Sequence, residues 1–185
     1  MASITKSPGT IVNDTTVGTV AWNNPTNAAA SDDVYATVGI NAGQEIQYSN
    51  YLKCTNFGFA IPTNAIIKGV QIDIERHASL NTSNNHVCIQ AVRLVKGGTP
   101  QGSSKLSSQY WPLSDAYESL GGSADMWGLT LTPADINASN FGVVLEAVLY
   151  APAGYDSITG YVDHIRITVY YTFPPNPGAM LLMQL

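Results

Sequence analysis

The sequence predicts an all-β chain, an antiparallel β-sandwich with one short helix near residues 133–137, and three observations predict it. Well-separated segments alternate apolar and polar residues with period two, as in Val70-Gln71-Ile72-Asp73-Ile74-Glu75 and Ile165-Arg166-Ile167-Thr168-Val169-Tyr170-Tyr171. Strand side chains point to opposite faces in turn, so each such segment has one buried and one wet face. Turn-forming clusters separate the segments. Their number, about eight to ten, suits a sandwich of jelly-roll type.

Taken in order, residues 1–9 read as an N-terminal arm closing at Pro8-Gly9, ahead of a sandwich domain over residues 10–173. Residues 10–22 hold β-branched residues broken by Asn13-Asp14, which suggests two short strands around a turn. Residues 34–40 form a strand ended by Asn41-Ala42-Gly43, and residues 51–59 form another closed by Ile61-Pro62. The long strand over residues 66–78 leads through Asn81-Thr82-Ser83-Asn84-Asn85, a hairpin-like link, into residues 87–96.

That next strand breaks its own phase. Val87, Ile89 and Ala91 share one parity while Val92 and Leu94 share the other, which requires either a bulge or burial on both faces. Residues 99–122 are rich in loop signals, with short strands expected over 107–111 and 116–120. Thr132-Pro133-Ala134-Asp135-Ile136 places Thr at an N-cap, Pro at the first helical position and Asp in the first turn. Strands over 141–150 and 161–173 complete the domain. Ile72, Ile74, Val143, Leu145, Ile165, Ile167 and Val169 are the expected core.

Pro174-Pro175-Asn176-Pro177-Gly178 ends the last strand, since proline cannot donate to a ladder. Residues 174–185 are thus a proline spacer and an apolar tail. Met180, Leu181, Leu182, Met183 and Leu185 are candidate interface residues, covering this domain or inserting into a neighbour.

Composition narrows the function. Charged residues are only 11% of the chain against 45% hydrophobic, and the net charge is −5 with no cationic run. Binding to a nucleic-acid backbone depends on clustered cations, so that partner is not expected. Residues 1–8 contain no apolar h-region and no stretch reaches the ~20 residues of a membrane helix, so neither a secretory signal nor a membrane partner is expected. Cys54 and Cys88 are expected as buried reduced thiols.

Candidates for chemistry are sparse. His77 and His86 flank one predicted link but lack the close spacing of zinc ligands, and His164 falls on a wet parity. Asp32, Asp33, Asp115, Glu118 and Asp125 lie in loop-like segments without the ordered spacing of a calcium loop. Glu45, Glu75, Glu118 and Glu146 show no glycosidase-like pairing, and neither cysteine has an adjacent base. No catalytic residue, cofactor or metal site is expected, and the chain does not read as an enzyme. Trp22, Trp111 and Trp127, with Tyr110 and Tyr117, are either core anchors or a sugar-stacking platform.

Several motifs carry a resemblance. Tyr51-Leu52 through Asn56-Phe57-Gly58-Phe59, Ile61-Pro62, residues 66–76, Val92-Arg93-Leu94-Val95-Lys96-Gly97-Gly98, Asp125-Met126-Trp127-Gly128-Leu129-Thr130 and Thr132-Pro133-Ala134-Asp135-Ile136 resemble a module of tailed-bacteriophage structural proteins. The last strand, Val162-Asp163-His164-Ile165-Arg166-Ile167-Thr168-Val169-Tyr170-Tyr171, resembles it too, so that the likeness spans residues 20–172. It implies a virion component made in a host cytoplasm: a capsid decoration (cement) protein first, or a tail, collar or fibre piece. Its implied partners are the major capsid protein or other virion proteins, with self-association as a homotrimer. The alternative of a different class is a non-catalytic carbohydrate-binding module.

Overall fold

Two antiparallel sheets pack face to face, and the computed structural model describes residues 1–175. In chain order the strands are β1 (Ala2–Lys6), β2 (Thr10–Asp14), β3 (Ala36–Ile40), β4 (Glu45–Tyr48), β5 (Tyr51–Thr55) and β6 (Ile66–Ala78). They continue as β7 (His86–Lys96), β8 (Thr99–Ser107), β9 (Ala116–Gly121), β10 (Gly142–Ala151) and β11 (Ile158–Thr172), with helix α1 (Pro133–Asn137) before β10. Sheet A runs β1-β11-β6-β9, with β3 also paired to β11. Sheet B runs β2-β5-β10-β7-β8, with β4 also paired to β10. Most connections cross from one sheet to the other, which is why the expected sandwich forms from a chain with few local hairpins.

Every residue of the expected core is fully buried between the sheets. The phase break in β7 is a bulge: Ala91 faces Glu146 and Ile89 faces Ala147, leaving Gln90 as the extra residue. Val87 and Ile89 before it, and Val92 and Leu94 after it, all reach the same core. Helix α1 starts as its sequence dictates. The Asp135 N–H donates to Thr132 Oγ1 at 3.2 Å, and the Thr132 N–H donates to Asp135 Oδ2 at 2.9 Å, a reciprocal capping box.

Some elements depart from the sequence expectation. The N-terminal arm is in part an edge strand, since Ala2 to Lys6 pair with Tyr171 to Ile167. Residues 10–22 hold one strand rather than two, because Asp14 Oδ1 accepts from the Thr16 N–H and turns the chain into a loop. The strand expected over 107–111 lies instead at β8, reached through a hairpin in which Gly97 and Gly98 both take positive φ. Strand β4 alternates as Glu45-Ile46-Gln47-Tyr48 but buries neither apolar side chain, and it is held by its pairing to β10. The link at residues 81–85 joins the two sheets, so His77 and His86 do not flank a hairpin. Met180, Leu181, Leu182, Met183 and Leu185 lie outside the described residues.

Candidate functional site

The outer face of sheet A carries a continuous polar network. On β6, Asp73 accepts from Gln71 Nε2 at 2.7 Å, from Ser119 Oγ at 2.7 Å and from Arg166 Nε at 2.9 Å. Burial alone would raise the Asp73 carboxyl, but those three donors outweigh it and hold it below the usual carboxylate range. Arg166 also lies over the Tyr117 ring, 4.5 Å from its centroid.

His164 sits at the centre of this face and is buried, contrary to the surface position its parity suggests. The parity is right, but the face is covered. A bulge at Asp163 shifts β11 against β6, Ala29 bridges to His164, and Ser7 closes from the N-terminal segment. Ser7 Oγ lies 2.8 Å from Nε2, and the Tyr117 hydroxyl lies 2.8 Å from Nδ1. Burial, seconded by Arg166, lowers the His164 pKa and favours the neutral ring.

The unfolded chain therefore takes up this proton more readily than the folded one. Stability from this group is present above the unfolded value of about 6.5 and is lost as pH falls through the lowered folded value. The raised Asp163 carboxyl acts in the opposite sense at lower pH. The urea midpoint should fall between about pH 7 and about pH 5, and fall less in His164→Gln. Equal slopes in the two proteins would refute this assignment.

Beside His164, Asp33, Asp115 and Asp163 bring carboxylate oxygens within 4.8 Å of one another. Of the aspartates flagged in the sequence, only Asp33 and Asp115 meet here. Asp125 pairs with Lys105 at 2.5 Å, and Glu118 pairs with Arg76 at the sandwich edge. Three carboxylates are a donor set suited to a hard cation. Two already have partners: Asp115 accepts from the Tyr35 hydroxyl at 2.8 Å and lies 2.7 Å from His77 Nδ1, while Asp163 Oδ1 accepts from the Asp32 N–H at 3.3 Å. Burial raises the Asp163 carboxyl, as do neighbouring Glu75 and Asp115, so protonation relieves the crowding of charge. Asp163 gave no sequence signal, because the bulge that turns it toward the loop is a product of pairing.

The outer face of sheet B is different. Around the β7 bulge lies a groove of about 360 Å³ lined by residues of β7, β8 and β10 and of the segment after β8. Tyr110 stacks on His86 with ring centroids 4.0 Å apart and an interplanar angle of 14°, and Tyr150 lies 5.3 Å from the same imidazole. His86 Nδ1 is 3.1 Å from the Thr82 carbonyl, which can only accept, so Nδ1 donates there and Nε2 is free of that contact. His77, by contrast, stacks on Tyr161 over sheet A, which separates the two histidines onto opposite sheets.

The tryptophans form no sugar platform. Trp22, Trp111 and Trp127 are all buried in the core, and Tyr117 is engaged by His164 and Arg166. Of that set the two tyrosines, Tyr110 and Tyr117, stay exposed, on opposite sheets. Both cysteines are free and buried, and burial raises each thiol, which disfavours the reactive thiolate. Glu45 is exposed on β4, and burial raises the Glu146 carboxyl on β10.

No protein-family model and no curated protein matches the sequence. Among solved structures, one described as a CBM4, a carbohydrate-binding module, is 13% identical at a TM-score of 0.37, covering 89% of this chain and 92% of that one. The enzymatically active domain of bacteriophage CBA120 tailspike protein 4 is 8% identical at 0.38, covering 93% of this chain and 19% of that one. A structure of infectious bursal disease virus, Gt strain, is 6% identical at 0.34, covering 91% and 32%. These are distant likenesses and carry no function with them.

Proposed function

We propose that this chain is a non-catalytic structural component of a tailed-bacteriophage virion, a capsid decoration protein acting through protein–protein contacts. One observation supports it: the motifs that resemble phage structural modules build locks of the scaffold. Asn137, which follows Thr132-Pro133-Ala134-Asp135-Ile136, clamps Ile61 from both sides, its Oδ1 accepting from the Ile61 N–H and its Nδ2 donating to the Ile61 carbonyl, each at 2.8 Å. Phe57 stacks on Phe59, which meets Phe141 edge-on. The Trp127 N–H donates to Asp125 Oδ1 at 2.8 Å. A motif set spent on rigidity suits a building block.

In this reading the apolar tail grips a neighbour, either another copy in a homotrimer or the major capsid protein. Met180, Leu181, Leu182, Met183 and Leu185 would each gain about 1.5–3 kcal/mol on full burial, enough to drive such a contact. Deleting residues 174–185 should leave a folded domain that loses self-association in light scattering and loses binding to capsids assembled without it. A truncated chain that trimerises and binds capsids as well as the full one sinks the proposal.

A further inference from the structure

We propose that the groove on the outer face of sheet B binds a neutral oligosaccharide, a site independent of the tail contact argued above. Its origin is the β7 bulge. Between the pairs Ile89 with Ser107 and Val92 with Lys105, two residues of β7 oppose one of β8, so the ladder opens and Leu106 and Gln90 turn outward. Bulges of this kind re-aim side chains and interrupt pairing. The Tyr110–His86 stack and Val148 are among the residues that line the opening.

The ligand class follows from the chemistry of the walls. None of the nine described lining residues is a lysine, arginine, aspartate or glutamate, so among the described residues the groove offers no carboxylate, ammonium or guanidinium to a charged ligand. It does offer exposed apolar and aromatic surface, with Leu106 71% and Tyr110 39% accessible. Beside that surface stand the Gln90 amide, the Ser107 hydroxyl and Nε2 of His86. A wholly apolar ligand would desolvate these polar groups without replacing their hydrogen bonds, at a cost for each. A pyranose meets both demands, with a C–H face for the ring of Tyr110 and equatorial hydroxyls for the amide, hydroxyl and imidazole. The volume falls within the range of about 300–1,000 Å³ for small-ligand sites. An added peptide strand is disfavoured, because β7 is already paired on both sides, to β10 and β8.

Native gel electrophoresis through soluble mixed-linkage β-glucan, mannan, xylan and amylose tests this with the full chain. At least one polysaccharide should retard the protein, and Tyr110→Ala and Gln90→Ala should each weaken that binding about tenfold or more. Both side chains are exposed, so the melting temperature should hold, and Gln90→Ala decides if Tyr110→Ala misfolds. Ile66→Ala, an exposed apolar residue of sheet A, should bind like the wild type. Retardation by none of the four, or retardation unchanged in both groove variants, overturns the proposal. So does a Tyr110→Ala protein that changes oligomeric state while the wild type binds no sugar, since the groove would then be a protein contact.

Discussion

Replacing Glu118 with alanine should destabilise the fold by about 3–5 kcal/mol, read as a lower urea midpoint at unchanged slope. Glu118 is the ionic partner of Arg76 at the edge of the sandwich, with side chains only 14% and 5% exposed. Arg76 Nη1 also donates to the Ala116 carbonyl at 3.0 Å, while its Nε is buried without a partner among the described residues. Burial pulls the Arg76 pKa down against the attraction of Glu118, which shows how little solvent reaches the guanidinium. Removing the carboxylate leaves that charge buried and uncompensated. The double variant Arg76→Met with Glu118→Leu should recover most of the loss, because it removes both desolvation costs together. Lys53→Ala, which breaks a more exposed pair with Asp14, should cost only about 0–1 kcal/mol. If Glu118→Ala costs no more than Lys53→Ala, the pair is better solvated than its geometry indicates.

Trp127→Ala should cost a similar amount, about 3–5 kcal/mol, for a different reason. Trp127 is fully buried and ties the two sheets together. Its indole N–H donates to the Val70 carbonyl of sheet A at 2.8 Å, while its own carbonyl accepts from the Ser103 N–H of sheet B, also at 2.8 Å. Glycine is required where it packs: a Cβ on Gly121 would lie 2.8 Å from the indole nitrogen, and one on Gly102 would lie 2.4 Å from the Trp127 carbonyl oxygen. Lys105 caps the ring at 4.7 Å. Alanine leaves a cavity and frees the Val70 carbonyl. Phenylalanine fills most of the space but supplies no donor, so Trp127→Phe should cost about 1–3 kcal/mol. The two variants thus separate packing from hydrogen bonding in thermal or urea unfolding. Equal costs for both would place the whole effect in the lost hydrogen bond.

The strands with strict alternation were legible because their faces are decided locally. Ile72 and Ile74 on β6, and Ile165, Ile167 and Val169 on β11, can bury their side chains only one way once the chain is extended. Helix α1 was legible for the same reason, since its capping box spans only Thr132 to Asp135. The phase break in β7 announced an irregularity, and pairing with β10 located it at Gln90.

What lies on the outer faces was not legible. The side chains that matter there are brought together by pairing between distant segments: Ser7 with His164 and Tyr117, Asp33 with Asp115 and Asp163, Tyr110 with His86. A polar residue at an outward position reads as solvated until something covers it. The covering loop over His164, between β2 and β3, carries no periodicity that would reveal its course. Strands β1 and β4 likewise depend on partners more than on their own pattern, as edge elements held by ladder hydrogen bonds. The amino-acid sequence by itself determined the sandwich, its core and its helix, because burial and capping act over a few neighbouring residues. Only the tertiary structure decided which outward side chains became a closed polar network on one sheet and an open groove on the other, because bulges and crossovers alone set which distant residues meet.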